Sequence, residues 1–288
     1  MGGLGIRDIK PLIGSDVRAE PAELISGIHA EALRSLVIGR GVIVFRDLAI
    51  SPGEQRAITA TLGPIRADAE GGELQNVTID PEISPEYAAY FANTLFWHMD
   101  GYHDQTVPCF GGSFRPARLA PEGGETEFLN AYAAYEGLGA ADRERIDGLQ
   151  VVHSALTSGL SANPAASDSE IAAWRQRPPA LQPLVWEHRS GLKSLMLGVA
   201  VSHVAGMHPA ESYDLLGRLR QHMAGPEYVY RHVWRENDLV LWNNTGTMHR
   251  ARPFDPASGR LLHRFTIDGD EAIAAPATPP AGGAARAV

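Results

Sequence analysis

After residue 95 the chain runs as short apolar segments separated by brief turns, and that succession limits the fold more than any other feature. "LQVVHSAL" reads as a strand, and "PLVWEH" and "KSLMLGVAV" as a hairpin around "RSG". "YVYRHVWRENDLVLWNN" reads as two strands around "ENDL", and "GRLLHRFTIDGD" as the last strand. All are rich in β-branched and aromatic residues, the composition of half-buried pleated surfaces. Many short strands joined by short turns suit an antiparallel sandwich or barrel with helices packed outside.

Helical spacing predicts where those helices lie. "PAELISGIHAEALRSLVIGRG" (21–41) carries Leu24, Ile28, Ala32 and Leu36 near one face, and "GVIVFRDL" follows as a short buried strand. "SPGEQRAITATLG" has Ser51 to cap, Pro52 in the first turn, Glu54 to close a capping box and Gly63 to end it. "ADRERIDG", "SDSEIAAWRQRPP" and "PAESYDLLGRLRQHMAG" read as further helices, and "GETEFLNAYAAYEGLG" as a strand turning into one. Residues 66–94 are polar and interrupted by Pro and Gly, with a short helix at "PEYAAYFA"; long segments of this kind are often substrate loops or lids. Neither an internal repeat nor a linker is visible. The expected organisation is one domain over 1–272, followed by an Ala/Pro/Gly-rich disordered tail over 273–288.

Composition removes several functions. The formal net charge of −9, without a basic run, argues against nucleic acid as a partner, and an anionic substrate would need a local cationic pocket. Cys109 is the single cysteine, which fits a reducing cytoplasm and leaves His, Asp and Glu as the available metal ligands. The N-terminus has no apolar signal region, and no run approaches the ~18 apolar residues of a membrane span.

Within this frame "FWHMDGYH" (96–103) holds His98 and Asp100 two positions apart. At the end of a strand, residues i and i+2 share a face, so both could bind one ion while Trp97 and Met99 pack on the other side. A facial triad needs one more histidine from elsewhere. By itself a His-x-Asp pair is more often solvated or hydrogen-bonded. Downstream, His249 lies just past an apolar strand, Arg260 eleven positions later and Arg264 four beyond that. In a strand Arg260, Leu262, Arg264 and Thr266 would line one face. Buried there, both arginines would need anions; alternatively Arg260 lies in a turn and Arg264 on a solvated face.

"WHMD", "GGETEF", "LWNNTGTMHRA" and "GRLLHRFTIDGD", in that order and spacing, resemble the taurine dioxygenase/2,4-D dioxygenase family of Fe(II)- and 2-oxoglutarate-dependent oxygenases. "GVIVFRDLAISPGEQRAITATLGPI" is similar to the family's N-terminal strand, turn and helix, so the likeness spans roughly residues 5–272. The resemblance implies a mostly β fold with outer helices, a double-stranded β-helix or cupin-like jelly roll. It implies His98, Asp100 and His249 as iron ligands. It also implies Arg260 and Thr126 at the distal carboxylate of 2-oxoglutarate, and Arg264 as the second arginine, near substrate and cosubstrate. The implied reaction consumes O2, converts 2-oxoglutarate to succinate and CO2, and hydroxylates a small organic molecule. Desaturation, cyclisation or epimerisation would use the same cofactors, and a non-catalytic jelly-roll binding protein is the alternative from another class. The Asp100 carboxylate argues against halogenation, since halogenating members carry a small residue there. Family analogy also implies a homo-oligomer, a dimer or a tetramer.

The substrate is less legible. Asn76, Tyr90, Asn93, Gly101 and Tyr102 are the candidate pocket residues, and Arg264 motivates an anionic substrate. Thr94, four positions before His98, stands where taurine users often carry Asn, and Gly101 departs from the bulkier residue often found there, which argues against taurine itself. His103 and Asp104 read as ordinary polar residues near the cleft mouth. His153, His263, Trp97, Trp242 and Cys109 read as packed side chains.

Overall fold

The computed structural model describes residues 3–67, 71–101 and 107–273. Its centre is two facing sheets. The larger has seven strands in the spatial order Gly5–Asp8, Ser15–Arg18, Val42–Phe45, Leu239–Asn243, Gly111–Arg118, Leu261–Ile267 and Gln75–Val77. Ser15–Arg18 and Val42–Phe45 run parallel, and the other pairs are antiparallel. The smaller sheet places Thr126–Asn130 between Val229–His232 and Thr247–Ala251, both antiparallel to it.

Alternation along the strands explains why both faces of the large sheet are apolar. In Val42–Phe45 every residue is buried. Val42 and Val44 belong to a cluster with Val240, Trp242, Phe114 and Leu262 of the large sheet and Phe128 and Tyr230 of the small one. Ile43 and Phe45 join Leu239 and Leu241 against the helices Pro21–Ser26, Ala30–Arg40 and Pro52–Ala60. A strand covered on both faces needs a continuous apolar run, which is what "VIVF" supplies. Each such side chain contributes about 1.5–3 kcal/mol relative to exposure. On the outer face of the small sheet, Leu129 and Met248 pack with Leu215, Leu216 and Leu219 of the helix Pro209–Met223. Among the described residues, no helix is long and apolar enough to cross a membrane.

Several local expectations hold. Ser51 and Glu54 form the reciprocal capping box of Pro52–Ala60, and Ser167 and Glu170 form another on Asp168–Arg175. Val185–Glu187 and Lys193–Leu195 form the hairpin around "RSG". Other expectations are corrected. The single helix over 21–41 is two, because the chain turns at Gly27–His29 and leaves Ile28 exposed. Within 66–94 the helix expected at "PEYAAYFA" forms and spans Pro85–Thr94, but Gln75–Val77, read as loop, is the edge strand of the large sheet. Ala155–Ala162, the first two residues of which read as strand, is a helix after Gln150–His153. Ile273, assigned by composition to the tail, packs against Trp186 and Met196; residues 274–288 lie outside the described residues.

Candidate metal centre

His98 and His249 are brought together by the backbone. Their amides and carbonyls exchange hydrogen bonds, His98 N to His249 O at 3.1 Å and His249 N to His98 O at 2.9 Å. This is an isolated bridge and not the strand end expected from "TLFWHMDG", yet its consequence for the side chains is the same. Trp97 and Met99 pack into the cluster under the small sheet, while His98 faces the space between the sheets. Asn244 fixes the next residue, accepting from Asp100 N at 2.9 Å and donating to Asp100 O at 3.0 Å. Gly101 then takes φ 77°, a left-handed turn that favours glycine for backbone reasons, so its small size serves the turn first.

His98, Asp100 and His249 each offer a donor atom, all within 4.8 Å of one another. His98 Nε2 lies 3.9 Å from Asp100 Oδ1, and His249 Nε2 lies 3.7 Å from Asp100 Oδ2. His98 Nδ1 lies 2.8 Å from the Phe96 carbonyl, which holds the proton on Nδ1 and leaves the Nε2 lone pair toward the cavity. His249 is buried among Phe114, Phe128 and Trp242; burial, with His98 adding to it, pushes its pKa down to about 3, so the ring is neutral and able to ligate. Burial works against the Asp100 carboxylate, but Arg264 and the two imidazoles outweigh it and hold the group ionised well below the usual carboxylate range. Two imidazoles, one carboxylate and open space beside them are the donor set of a non-haem metal site, and these residues fit one.

Two arginines face the same cavity. Arg264 Nη2 donates to Asp100 Oδ2 at 2.7 Å, and its Nε donates to Thr266 Oγ1 at 3.1 Å. Thr266 in turn donates to Gln75 Oε1, which ties the edge strand to the metal ligand. Arg260 is 2% exposed, with its guanidinium 4.9 Å from the Phe254 ring. Among the described residues that guanidinium forms no ion pair and no hydrogen bond. Burial pushes its pKa down to about 10, which still leaves it charged at neutral pH. A buried, unpaired cation is costly unless an anion completes it.

The "GGET" turn explains how so long a side chain fits. Gly123 and Gly124 have φ of 73° and 72°, and a Cβ on Gly124 would stand 2.8 Å from Cδ and Nε of Arg260. The glycines therefore provide the space through which Arg260 reaches the cavity, and Thr126 follows on the strand lining the same wall. Gly124→Ala is expected to weaken 2-oxoglutarate binding about 10-fold or more, by displacing Arg260 and straining a left-handed backbone, while leaving metal affinity within about two-fold. Calorimetric titration of the metal-loaded variant checks this; an unchanged affinity would remove Gly124 from the argument.

The cavity between the sheets has a volume of about 130 Å³. The helix Pro85–Thr94 presents Tyr87, Tyr90 and Thr94 to it, and the edge strand presents Val77. Of the pocket residues expected from sequence, Tyr90 lines it. Asn76 does not: it pairs with His263, on the face opposite Val77, Leu262 and Arg264. Asn93 is also corrected, because one helical step carries it off the face shared by 87, 90 and 94; its Nδ2 donates to the Tyr90 carbonyl instead. Gly101 does not line the cavity, and Tyr102, His103 and Asp104 lie outside the described residues. The spacing 87/90/94 was available in the sequence and would have found Tyr87 and Thr94. Nothing local marks Val77 or Gln75. Cys109, Trp242 and His153 are buried, and burial pushes the Cys109 thiol up to about 12, as expected for an inert packed cysteine.

Three donors that could hold one ion thus lie beside a buried arginine that no anion pairs with among the described residues. The sequence matches the Taurine catabolism dioxygenase TauD, TfdA family over residues 5–266, and the chain belongs to that family. It is an oxidoreductase, an α-ketoglutarate (2-oxoglutarate)-dependent dioxygenase. It is 31% identical over 284 residues to the alpha-ketoglutarate-dependent 2,4-dichlorophenoxyacetate dioxygenase of Cupriavidus pinatubonensis, covering 92% of this chain and 98% of that one. The (S)-phenoxypropionate/alpha-ketoglutarate-dioxygenase of Sphingobium herbicidovorans is 30% identical, covering 80% of this chain and 83% of its own. Among solved structures, AAD-2 in complex with Mn(II) and N-oxalylglycine superposes with a TM-score of 0.78 at 27% identity, covering 95% of this chain and all of that one.

Proposed function

We propose that the chain is an Fe(II) enzyme in which His98, Asp100 and His249 hold the metal. Arg260 and Thr126 hold the distal carboxylate of 2-oxoglutarate. The observation that carries this reading is the unpaired Arg260 guanidinium lining the same cavity as the three donors. Iron and the keto acid together supply the oxidising power when bound: O2 gives one oxygen atom to succinate and one to product, with CO2 released. The chain's own residues supply geometry. Arg264 holds the Asp100 carboxylate in place, the aromatic wall of Phe114 and Trp242 excludes water, and Arg260 offers a fork that suits a carboxylate. The two facing sheets, with helices outside, support a double-stranded β-helix of the jelly-roll kind.

The proposed substrate is a small organic acid that is hydroxylated, of the class the two phenoxy-acid relatives are named for. Tyr87, Tyr90, Val77 and Leu262 offer an apolar wall for its body. Arg264 Nη1 forms no hydrogen bond among the described residues and can meet its charge. Oxygen- and Fe(II)-dependent succinate release should be stimulated by aryloxy acids more than by sulfonates, alkyl sulfates, amino acids or neutral terpenoids, with His249→Ala as the blank. Arg264→Ala should raise the KM for the acid substrate at least 10-fold and leave that for its neutral methyl ester within about three-fold. An unchanged KM for the acid would remove Arg264 from substrate binding. Desaturation or cyclisation by the same site would appear as a product lacking the added oxygen. A single domain to about residue 273, a cytoplasmic location and a homo-oligomeric state complete the proposal; light scattering tests the last.

A further inference from the structure

We propose that Trp234 is a positioning residue for 2-oxoglutarate, acting through Thr126. The inference rests on the reading above that Thr126 and Arg260 receive the cosubstrate carboxylate. Trp234 Nε1 donates to Thr126 Oγ1 at 3.1 Å. An indole N–H can only donate, so this bond fixes the roles: the threonine oxygen accepts, and its own proton must point elsewhere. Among the described residues nothing accepts that proton. Thr126 is buried on the cavity wall that Arg260 also lines, so the O–H is left to donate into the cavity beside the guanidinium. Two donors then converge on one anion, and their geometry is set before it arrives. A hydroxyl free to rotate would lose part of that advantage on binding.

The indole is itself held from two sides. The His232 ring meets it edge-on at 4.3 Å and 80°, and Phe114 does so at 6.4 Å and 88°. His232 is fully buried and stands directly across the strand pair from Thr126. Its Nε2 lies 3.1 Å from Asp238 Oδ2 and its Nδ1 3.0 Å from the Tyr230 hydroxyl. Arg46 Nη1 donates to the same Asp238 oxygen. This arrangement buries two ionisable groups next to the cavity wall without placing either in it. It gives Trp234 one orientation, the one that aims its N–H at Thr126.

The test is a double-mutant cycle on the Mn(II)-loaded full chain, read by calorimetric titration of 2-oxoglutarate. Trp234→Phe keeps a ring and deletes the N–H. It should weaken 2-oxoglutarate binding about 5- to 15-fold, the size of one ordinary hydrogen bond between neutral groups, with Mn(II) affinity within two-fold of wild type. Thr126→Val should weaken it to a similar extent or more, and the double variant should bind no worse than Thr126→Val alone. Unchanged binding in Trp234→Phe, or additive losses in the double variant, would overturn the proposal. If Trp234→Phe fails to fold, the indole 15N–1H spectrum of the five tryptophans decides. One indole signal should move in Thr126→Val and when 2-oxoglutarate is added to wild type loaded with a diamagnetic metal such as Zn(II); no moving signal overturns it. Arg260→Gln separates the two levels. If that variant binds 2-oxoglutarate normally, the site assignment itself fails. If it loses binding while Trp234→Phe does not, only the role of Trp234 fails.

Discussion

His249→Ala is expected to reduce metal-dependent turnover by at least about 1,000-fold and metal affinity by at least about 100-fold. The histidine is one of three donors within 4.8 Å, and two remaining ligands cannot define a facial site with the same open positions. Loss of a mere supporting group around a metal typically costs 10–100-fold, so a ligand should exceed that. The ring also fills space between Phe114, Phe128 and Trp242, so truncation leaves a cavity and is expected to cost about 2–3 kcal/mol of stability. His249→Gln, closer in volume, separates the effects: it should recover part of the lost stability and none of the turnover. Metal content, thermal unfolding and succinate release on the two variants check this. A variant that folds and retains more than about a tenth of wild-type metal affinity would contradict the assignment.

Arg260→Ala is expected to raise the KM for 2-oxoglutarate about 100-fold, near 3 kcal/mol, with metal affinity unchanged. A guanidinium forming parallel charge-assisted hydrogen bonds with a carboxylate in a dry wall accounts for that magnitude. The stability effect should have the opposite sense from that at a paired arginine. Without cosubstrate the Arg260 guanidinium is buried and unpaired, so its removal should cost the apoprotein little beyond the packing of its stem on Phe254. Adding 2-oxoglutarate at 100 times Kd should stabilise the metal-loaded wild type by about 2.7 kcal/mol, and the same concentration should barely stabilise the variant. Thermal melts with and without 2-oxoglutarate distinguish this from general destabilisation, in which both melts of the variant would fall together while the ligand-induced shift persisted.

The legible part of the site was the part coded by residue type at fixed spacing. His98, Asp100 and His249 converge as their order suggested. The "GGET" glycines were visible as a motif; the structure adds why two are needed, one for the turn against Pro253 and one to let Arg260 through. The substrate wall was less legible. Asn76 is a candidate pocket residue by its place in the segment before His98, but pairing of Gln75–Val77 with Leu261–Ile267 turns it to the other face. A one-residue difference in register decides this, and a three-residue strand carries too little hydrophobic pattern to reveal its register in advance. Gln75 and Trp234 were invisible for a related reason: each acts through a partner distant in sequence, Thr266 and Thr126 respectively.

By itself, the sequence determined the elements with a local physical cause. It determined the capping box at Ser51, the doubly buried strand at Val42–Phe45, the ionic character of the site and the donors that build it. Helix caps, alternation and ligand chemistry are written in neighbouring residues. Only the tertiary structure decided which faces meet. It set His98 against His249 through a single backbone bridge, Arg264 against Asp100, and Arg260 on the cavity wall with no carboxylate partner among the described residues. These relations join residues about 150 positions apart, and they depend on strand register and sheet packing that no short stretch of the chain encodes.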